Sequence, residues 1–149
     1  MITGKYPNLR LRRSRKNSWS RRLLAENNLS ASDFILPIFL MEGKNKIQPI
    51  KSMPNVNRYS INKLGIILDR AIKNKIPMVA LFPYTSTKLK DSLGSEALNE
   101  NNLVCRAIRY IKDRYKDKIG IMCDVALDPY TVHGHDGILR SGYVLNDET

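Results

Sequence analysis

The stretch Asp124-Val-Ala-Leu-Asp128-Pro-Tyr130-Thr-Val-His133-Gly-His135-Asp136-Gly137 gathers three carboxylates, two imidazoles and a phenol. It follows directly on an apolar run, Ile119-Gly-Ile-Met-Cys123. Carboxylates and imidazoles at this density suit proton transfer or metal binding. The loop holds no thiol, because Cys123 belongs to the run before it. Hard oxygen donors without thiolate favour Mg²⁺ over Zn²⁺. The same residues also suit a plain turn. Asp128-Pro129, Gly134 and Gly137 are turn formers, an Asp at a strand end can cap backbone N–H groups, and His-Gly-His lacks a third ligand at a known metal spacing. Spacing alone leaves a functional loop and a structural loop both open.

Other reactive side chains carry less. Cys105 and Cys123 have no CxxC partner and read as small buried hydrophobes. Met53 and Met122 read as core or loop filler, and Trp19 as a packing anchor. Two cysteines make no disulfide framework, so a reducing compartment, the cytoplasm, is the expectation.

The chain has 149 residues, 42% apolar and 26% charged. That is too apolar for a disordered chain and enough for one modest core. No run approaches the eighteen apolar residues of a membrane-spanning helix, so no membrane partner is expected. The basic N-terminus lacks an apolar stretch and a small-residue cleavage site, so no secretory signal is expected either. The fold-like pattern starts too close behind the Arg-rich segment to leave a removable mitochondrial leader.

Net charge is +11, unevenly placed. Residues 1–30 hold eight Lys and Arg (Lys5, Arg10, Arg12, Arg13, Arg15, Lys16, Arg21, Arg22) against Glu26 alone. The other 119 residues hold 17 bases and 13 acids. The chain therefore divides into a basic arm, 1–30, and a nearly ordinary domain, 31–149. A basic arm can bind nucleic acid by displacing counterions from phosphate. Only Tyr6 and Trp19 interleave with the bases, which is thin for a base-stacking platform. An arm that packs against a partner subunit is the alternative, and no nucleic-acid partner is expected.

Three elements must position the acidic loop. Phe34-Ile-Leu-Pro-Ile-Phe-Leu40 suits a strand buried on both faces, with Pro37 predicting a bulge or strand end. Pro77-Met-Val-Ala-Leu-Phe82 is a second such run, stopped by Pro83, and 119–123 is the third. Ser32-Asp33 reads as a turn, and residues 43–59 and 84–98 read as loops. Ile61, Leu64, Ile67, Leu68, Ala71 and Ile72 recur at helical spacing behind a Ser60 N-cap, ending near Asn74. Leu103, Val104, Ala107, Ile108 and Ile111 mark a second helix from about Asn99 to Tyr115. Strand, helix, strand, helix, strand predicts an α/β fold with a parallel sheet. No Gly-rich phosphate fingerprint follows the first strand, only Glu42-Gly43-Lys44. In a (β/α)8 barrel, chemistry collects on loops after the strand C-termini, and the acidic stretch is the third such loop.

Segments in order resemble the delta-aminolevulinic acid dehydratase (porphobilinogen synthase) family. They are Arg10-Leu-Arg-Arg13, Pro37-Ile-Phe39 with Glu42-Gly43, Ile50-Lys-Ser-Met-Pro54, Ala80-Leu-Phe-Pro83, Lys90-Asp91, Gly94-Ser-Glu-Ala97 and Arg106-Ala-Ile-Arg109. They continue with Asp124–Thr131, His133–Gly137 and Gly142-Tyr-Val-Leu-Asn-Asp147. The resemblance implies the N-terminal portion of a (β/α)8 TIM barrel, about three βα units, preceded by an extended arm. It also implies a lyase that joins two 5-aminolevulinates, with loss of water, into porphobilinogen for tetrapyrrole and haem synthesis. The arm would wrap a neighbouring subunit in a homo-oligomer, often an octamer.

Zinc-using members of that family carry Cys-x-Cys-x7-Cys in this loop. Here those positions hold Ala126, Asp128 and Asp136. The resemblance therefore implies the magnesium-using pattern, with Asp128 and Asp136 near the metal directly or through water, and Asp124 orienting substrate or a catalytic group. The family's two Schiff-base lysines lie on later strands. Lys75 and Lys118 precede strands, Lys88 and Lys90 sit in a loop read as solvated, and none replaces them. A barrel of this kind takes about 250 residues. The expectation is a partial barrel that alone lacks turnover and tends to aggregate. A non-catalytic docking subunit and a basic-arm nucleic-acid binder are the competing functions.

Overall fold

The computed structural model describes residues 4–10 and 12–149. Residues 1–3 and Leu11 of the basic arm lie outside the described residues. The chain divides into two units, Met1–Ser30 and Ala31–Thr149.

In the first unit, the arm predicted as extended forms two short helices, α1 (Arg13–Lys16) and α2 (Ser18–Leu23). Arg and Leu are good helix formers, and the Arg21 guanidinium donates to the Arg15 and Lys16 carbonyls at 3.0 and 3.1 Å. Those carbonyls lie at the end of α1 and have no partner within its single turn. Arg10 lies 5.5 Å over the Tyr6 ring. Trp19 stays 60% exposed, so within the described residues it is not the packing anchor predicted.

In the second unit the three apolar runs become parallel strands. β1 (Ile35–Met41) pairs along its whole length with a later strand, Met78–Tyr84, from Ile35↔Met78 to Met41↔Tyr84. That strand pairs in turn with Gly120–Cys123, from Met78↔Gly120 to Leu81↔Cys123. The segment predicted as a loop at 43–59 instead holds β2 (Ile47–Pro49) and β3 (Asn57–Tyr59). These pair antiparallel with each other, and β3 runs parallel to β1 at Phe39↔Arg58 and Leu40↔Tyr59. Three-residue strands are too short to show a period of two. With β4 (Met78–Tyr84) and β5 (Gly120–Cys123), the sheet order is β2-β3-β1-β4-β5.

Both prolines lie inside strands. β3 reaches only Phe39 and Leu40, so Pro37 lies where one side of β1 has no ladder. β5 reaches only Leu81, so Pro83 lies beyond that ladder. A missing N–H costs little on an open side, and neither proline ends its strand.

Helix α3 (Leu64–Lys73) ends at Asn74 as the spacing predicts. Ser60 does not cap it. A 3-10 turn at Ile61–Lys63 intervenes, and the buried Ser60 hydroxyl accepts the Lys46 N–H at 2.9 Å. Helix α4 (Leu103–Tyr115) is capped by Asn102, whose Oδ1 accepts the Cys105 N–H at 2.9 Å. A final hairpin, β6 (Leu139–Arg140) with β7 (Tyr143–Val144), turns at Ser141-Gly142. Both turn residues have positive φ, the tight hairpin geometry that favours glycine.

One face of the sheet is covered. Ile38 and Leu40 of β1 and Val79 and Leu81 of β4 pack with Leu64, Leu68 and Ala71 of α3 and Leu103, Ala107 and Ile111 of α4. Tyr115 closes this layer and donates its hydroxyl to Asp69 at 2.8 Å. The alternate residues Phe39, Phe82 and Met122 belong to the other face, where the two phenyl rings lie 5.7 Å apart. Met122 is 44% exposed. Leu68→Ala and Ile111→Ala, each opening a cavity in the covered face, are expected to lower unfolding free energy by about 2–5 kcal/mol. Met122→Ala is expected to change it by about 0.5 kcal/mol or less. Urea titration of the three variants checks both.

Candidate active site

β1, β4 and β5 run parallel, so their C-terminal ends lie on one side. The connections that leave there begin at Glu42, Thr85 and Asp124. Parallel α/β sheets place ligand sites at this end. A cavity of about 120 Å³ lies here, between Phe82 and Pro83 of β4 and Asp124, Ala126, Asp128 and Tyr130 of the third loop. Asp124 and Asp128 therefore share one cavity at the strand tips.

Asp136 has a different place. Its Oδ1 accepts the Leu127 N–H, which folds the loop back on itself between Ala126 and Asp128. The two histidine rings stack at 5.7 Å. Thr131, 1% exposed, donates its hydroxyl to the His135 carbonyl at 2.9 Å. Tyr130 is buried, and burial raises its phenol pKa, helped by the nearby Cys105, Glu96 and Cys123.

Cys105 and Cys123 are free thiols and only half-buried, a looser setting than the buried hydrophobes predicted. Burial, and then Cys105, raise the Cys123 thiol pKa and keep it from being a ready thiolate. Lys90 is half-buried, whereas Lys88 is exposed as read.

Asp91 is a site residue that sequence reasoning missed. Its Oδ1 accepts the Leu93 and Ser95 N–H groups at 2.9 and 3.0 Å, making the turn 91–95. Asp91-Ser-Leu-Gly94-Ser carries the signal, an Asp accepting from the amide two residues on, followed by glycine. Gly94 has φ +68°, and a Cβ there would meet Leu127 and Thr131 at 3.4 Å. The Asp91 backbone then joins the third loop. Its N–H donates to the Tyr130 carbonyl at 3.3 Å and its carbonyl accepts the Val132 N–H at 2.9 Å. The second and third connections are thus one stitched rim.

Two carboxylates with no thiol among them suit Mg²⁺, which keeps several waters and takes one or two carboxylates. Among the described residues no three His, Cys, Asp or Glu side chains converge as a closed ligand set. Asp124 and Asp128 are the hard donors that line the cavity, whereas Asp136, with its Oδ1 on the Leu127 N–H, is not among the lining residues.

The sequence pattern of the delta-aminolevulinic acid dehydratase family matches residues 8–149. The chain belongs to that family. It is 52% identical over 141 residues to the delta-aminolevulinic acid dehydratase of Bradyrhizobium diazoefficiens, covering 95% of this chain and 40% of that protein. It is 43% identical to the Chlamydia pneumoniae enzyme over 94% of this chain and 42% of that one. A solved structure of the delta-aminolevulinic acid dehydratase (porphobilinogen synthase) of Toxoplasma gondii ME49, in complex with the reaction product porphobilinogen, matches with a TM-score of 0.86. Identity there is 37%, over 95% of this chain and 40% of that one. The chain spans about two fifths of the length of the relatives it matches. The open sheet corresponds to the N-terminal part of the dehydratase barrel and does not close it. No helix among the described residues is long and apolar enough to cross a membrane.

The Asp91 turn makes the rim sensitive to acid. The Ser95 N–H and hydroxyl, and then the Leu93 and Gly94 N–H groups, hold the Asp91 carboxyl below its ordinary value of 3.8. A carboxyl depressed in the folded state stabilises fully above its unfolded value, and that contribution is lost as pH falls through the lower folded value. The Leu93 and Ser95 amide shifts are expected to move together below pH 3.8, and Asp91→Asn is expected to abolish that movement. NMR titration reads both.

Proposed function

We propose that this chain supplies the opening strands and the acidic rim loop of a porphobilinogen synthase. Such an enzyme condenses two 5-aminolevulinates, with loss of water, into porphobilinogen in tetrapyrrole and haem synthesis. The observation that carries the reading is the cavity shared by Asp124 and Asp128 at the strand tips of a chain from this family. Asp124 stands directly behind β5, on a backbone that the ladder to β4 holds. A carboxylate fixed there orients the cationic amine of a bound aminoketone, or accepts its proton once a neighbour lowers the amine's pKa. Phe82 and Pro83 form the apolar wall opposite.

The two lysines that hold the substrate ketones as Schiff bases belong to later strands, so residues 1–149 alone carry no turnover. Asp128 and Asp136 would be the residues to hold Mg²⁺, directly or through water, and the ion would supply positive charge for substrate oxygen. Zn²⁺ is disfavoured, because Ala126, Asp128 and Asp136 stand where thiolates are needed. The arm joins copies into a homo-oligomer. Exposed Trp19, Leu23 and Leu24 beside α2's arginines support this, as such residues favour a covered surface. Two free thiols suit a reducing cytoplasm.

A chimera of residues 1–149 with the remaining length of the Bradyrhizobium diazoefficiens relative is expected to convert 5-aminolevulinate to porphobilinogen. Asp124→Asn in the chimera is expected to lower kcat by about 100-fold or more, the lower range for a lost acid–base group. After chelation, Mg²⁺ and not Zn²⁺ is expected to restore activity. A folded chimera without turnover, or one indifferent to Asp124→Asn, refutes the reading. Deleting residues 1–30 is expected to reduce the assembly to smaller species in size-exclusion chromatography, and an unchanged elution refutes the role of the arm.

A further inference from the structure

We propose that His133 is the positioning residue of the acidic loop, a neutral imidazole that pins the loop to the turn after β4. The inference rests on the assignment of that loop to the reaction, and its test reads loop geometry without turnover. His133 Nδ1 accepts the His135 N–H at 3.2 Å. A neutral ring that accepts at Nδ1 carries its proton on Nε2. Nε2 is the atom 3.3 Å from the Ser92 carbonyl, which can only accept. The two bonds therefore select the same tautomer independently, one from each ring nitrogen.

What the ring holds is the support of the carboxylates. The His135 peptide is gripped at its N–H by His133 and at its carbonyl by the buried Thr131 hydroxyl. The next residue, Asp136, accepts the Leu127 N–H. Leu127 stands beside Asp128, which lines the cavity with Asp124. A continuous path of contacts thus runs from the Ser92 carbonyl through the His133 ring and the His135 peptide to Asp136, Leu127 and Asp128. Asp91 joins the same two segments, but only through its backbone, because its carboxylate is spent on Leu93 and Ser95. Among the described residues, His133 is the side chain that crosses between them by hydrogen bond. Removing it leaves the His135 peptide held on one side only, and frees the loop between Val132 and Asp136 to turn.

Nitrogen-15 NMR of residues 1–149 at pH 8 is expected to show the His133 ring neutral and protonated on Nε2. A ring protonated on Nδ1, or a cationic ring, overturns the proposal. His133→Ala is expected to speed amide exchange at His135 and Leu127 about tenfold, the scale of losing two neutral hydrogen bonds. Val79 and Leu81 in β4 are expected to keep their rates. His133→Asn is expected to restore protection at His135, since an Asn side chain accepts the amide two residues on. Unchanged exchange in His133→Ala, or acceleration that spreads equally to Val79 and Leu81, overturns the proposal. In the active chimera His133→Ala is expected to lower kcat with KM little changed, and an unchanged kcat overturns the positioning role. A chimera with no activity at all counts against the proposed reaction, while the exchange result still decides the place of His133.

Discussion

The parallel register of β1, β4 and β5 is the constraint on which everything else depends. Seven consecutive pairs join β1 to β4, and four join β4 to β5. Hydrogen bonds in a parallel ladder keep neighbouring strands in step, so their ends come out on one side. The side chains Ile38, Leu40, Val79 and Leu81 then fall on one face, and α3 and α4 cover it. A slip of β4 by one residue would turn Val79 and Leu81 outward and bring Phe82 in. A like slip of β5 would shift Asp124 against the cavity, so the apolar packing that stabilises the sheet also fixes the first acidic residue of the rim.

Beyond the strands, backbone groups and small polar side chains hold the rim. Asp91 uses its carboxylate for its own turn and its peptide for the third loop. Thr131 and Asp136 each take one backbone group of the acidic loop. This leaves Asp124 and Asp128 lining the cavity, while the exposed Asp136 engages the Leu127 N–H. Three carboxylates of equal type thus divide between the cavity and the closure of the loop. A loop built this way keeps its acids apart without any cation among its own side chains, since its span from Asp124 to Gly137 contains no Lys or Arg.

How much of this was legible in the sequence follows from the length scale of each signal. The three apolar runs and the periodicity of α3 and α4 extend over whole elements, and they placed the sheet and its helices, but they read the strands as buried on both faces where one face stays uncovered. β2 and β3 were hidden, because three residues cannot show alternation and Pro49 and Pro54 marked the region as irregular. Ser60 looked like a helix cap because its type and place fit, yet a partner 14 residues away, Lys46, claimed its hydroxyl. The acidic loop stood out by composition, but composition does not tell Asp136 from Asp128. That distinction depends on which carboxylate meets the Leu127 N–H, a contact set by how the loop closes. The stitch from Asp91 to Tyr130 and Val132 joins segments about forty residues apart, beyond any local pattern.

The uncovered face of the sheet bears on how such a chain is made. In the longer relatives, of which this chain matches about two fifths, the strands that correspond to those of Phe39, Phe82 and Met122 leave the ribosome early, and whatever shields them in a closed barrel is translated afterwards. At about 5–20 residues per second, the delay runs to many seconds for a barrel-length protein. Throughout that interval a half-built wall of aromatic and thioether groups faces water.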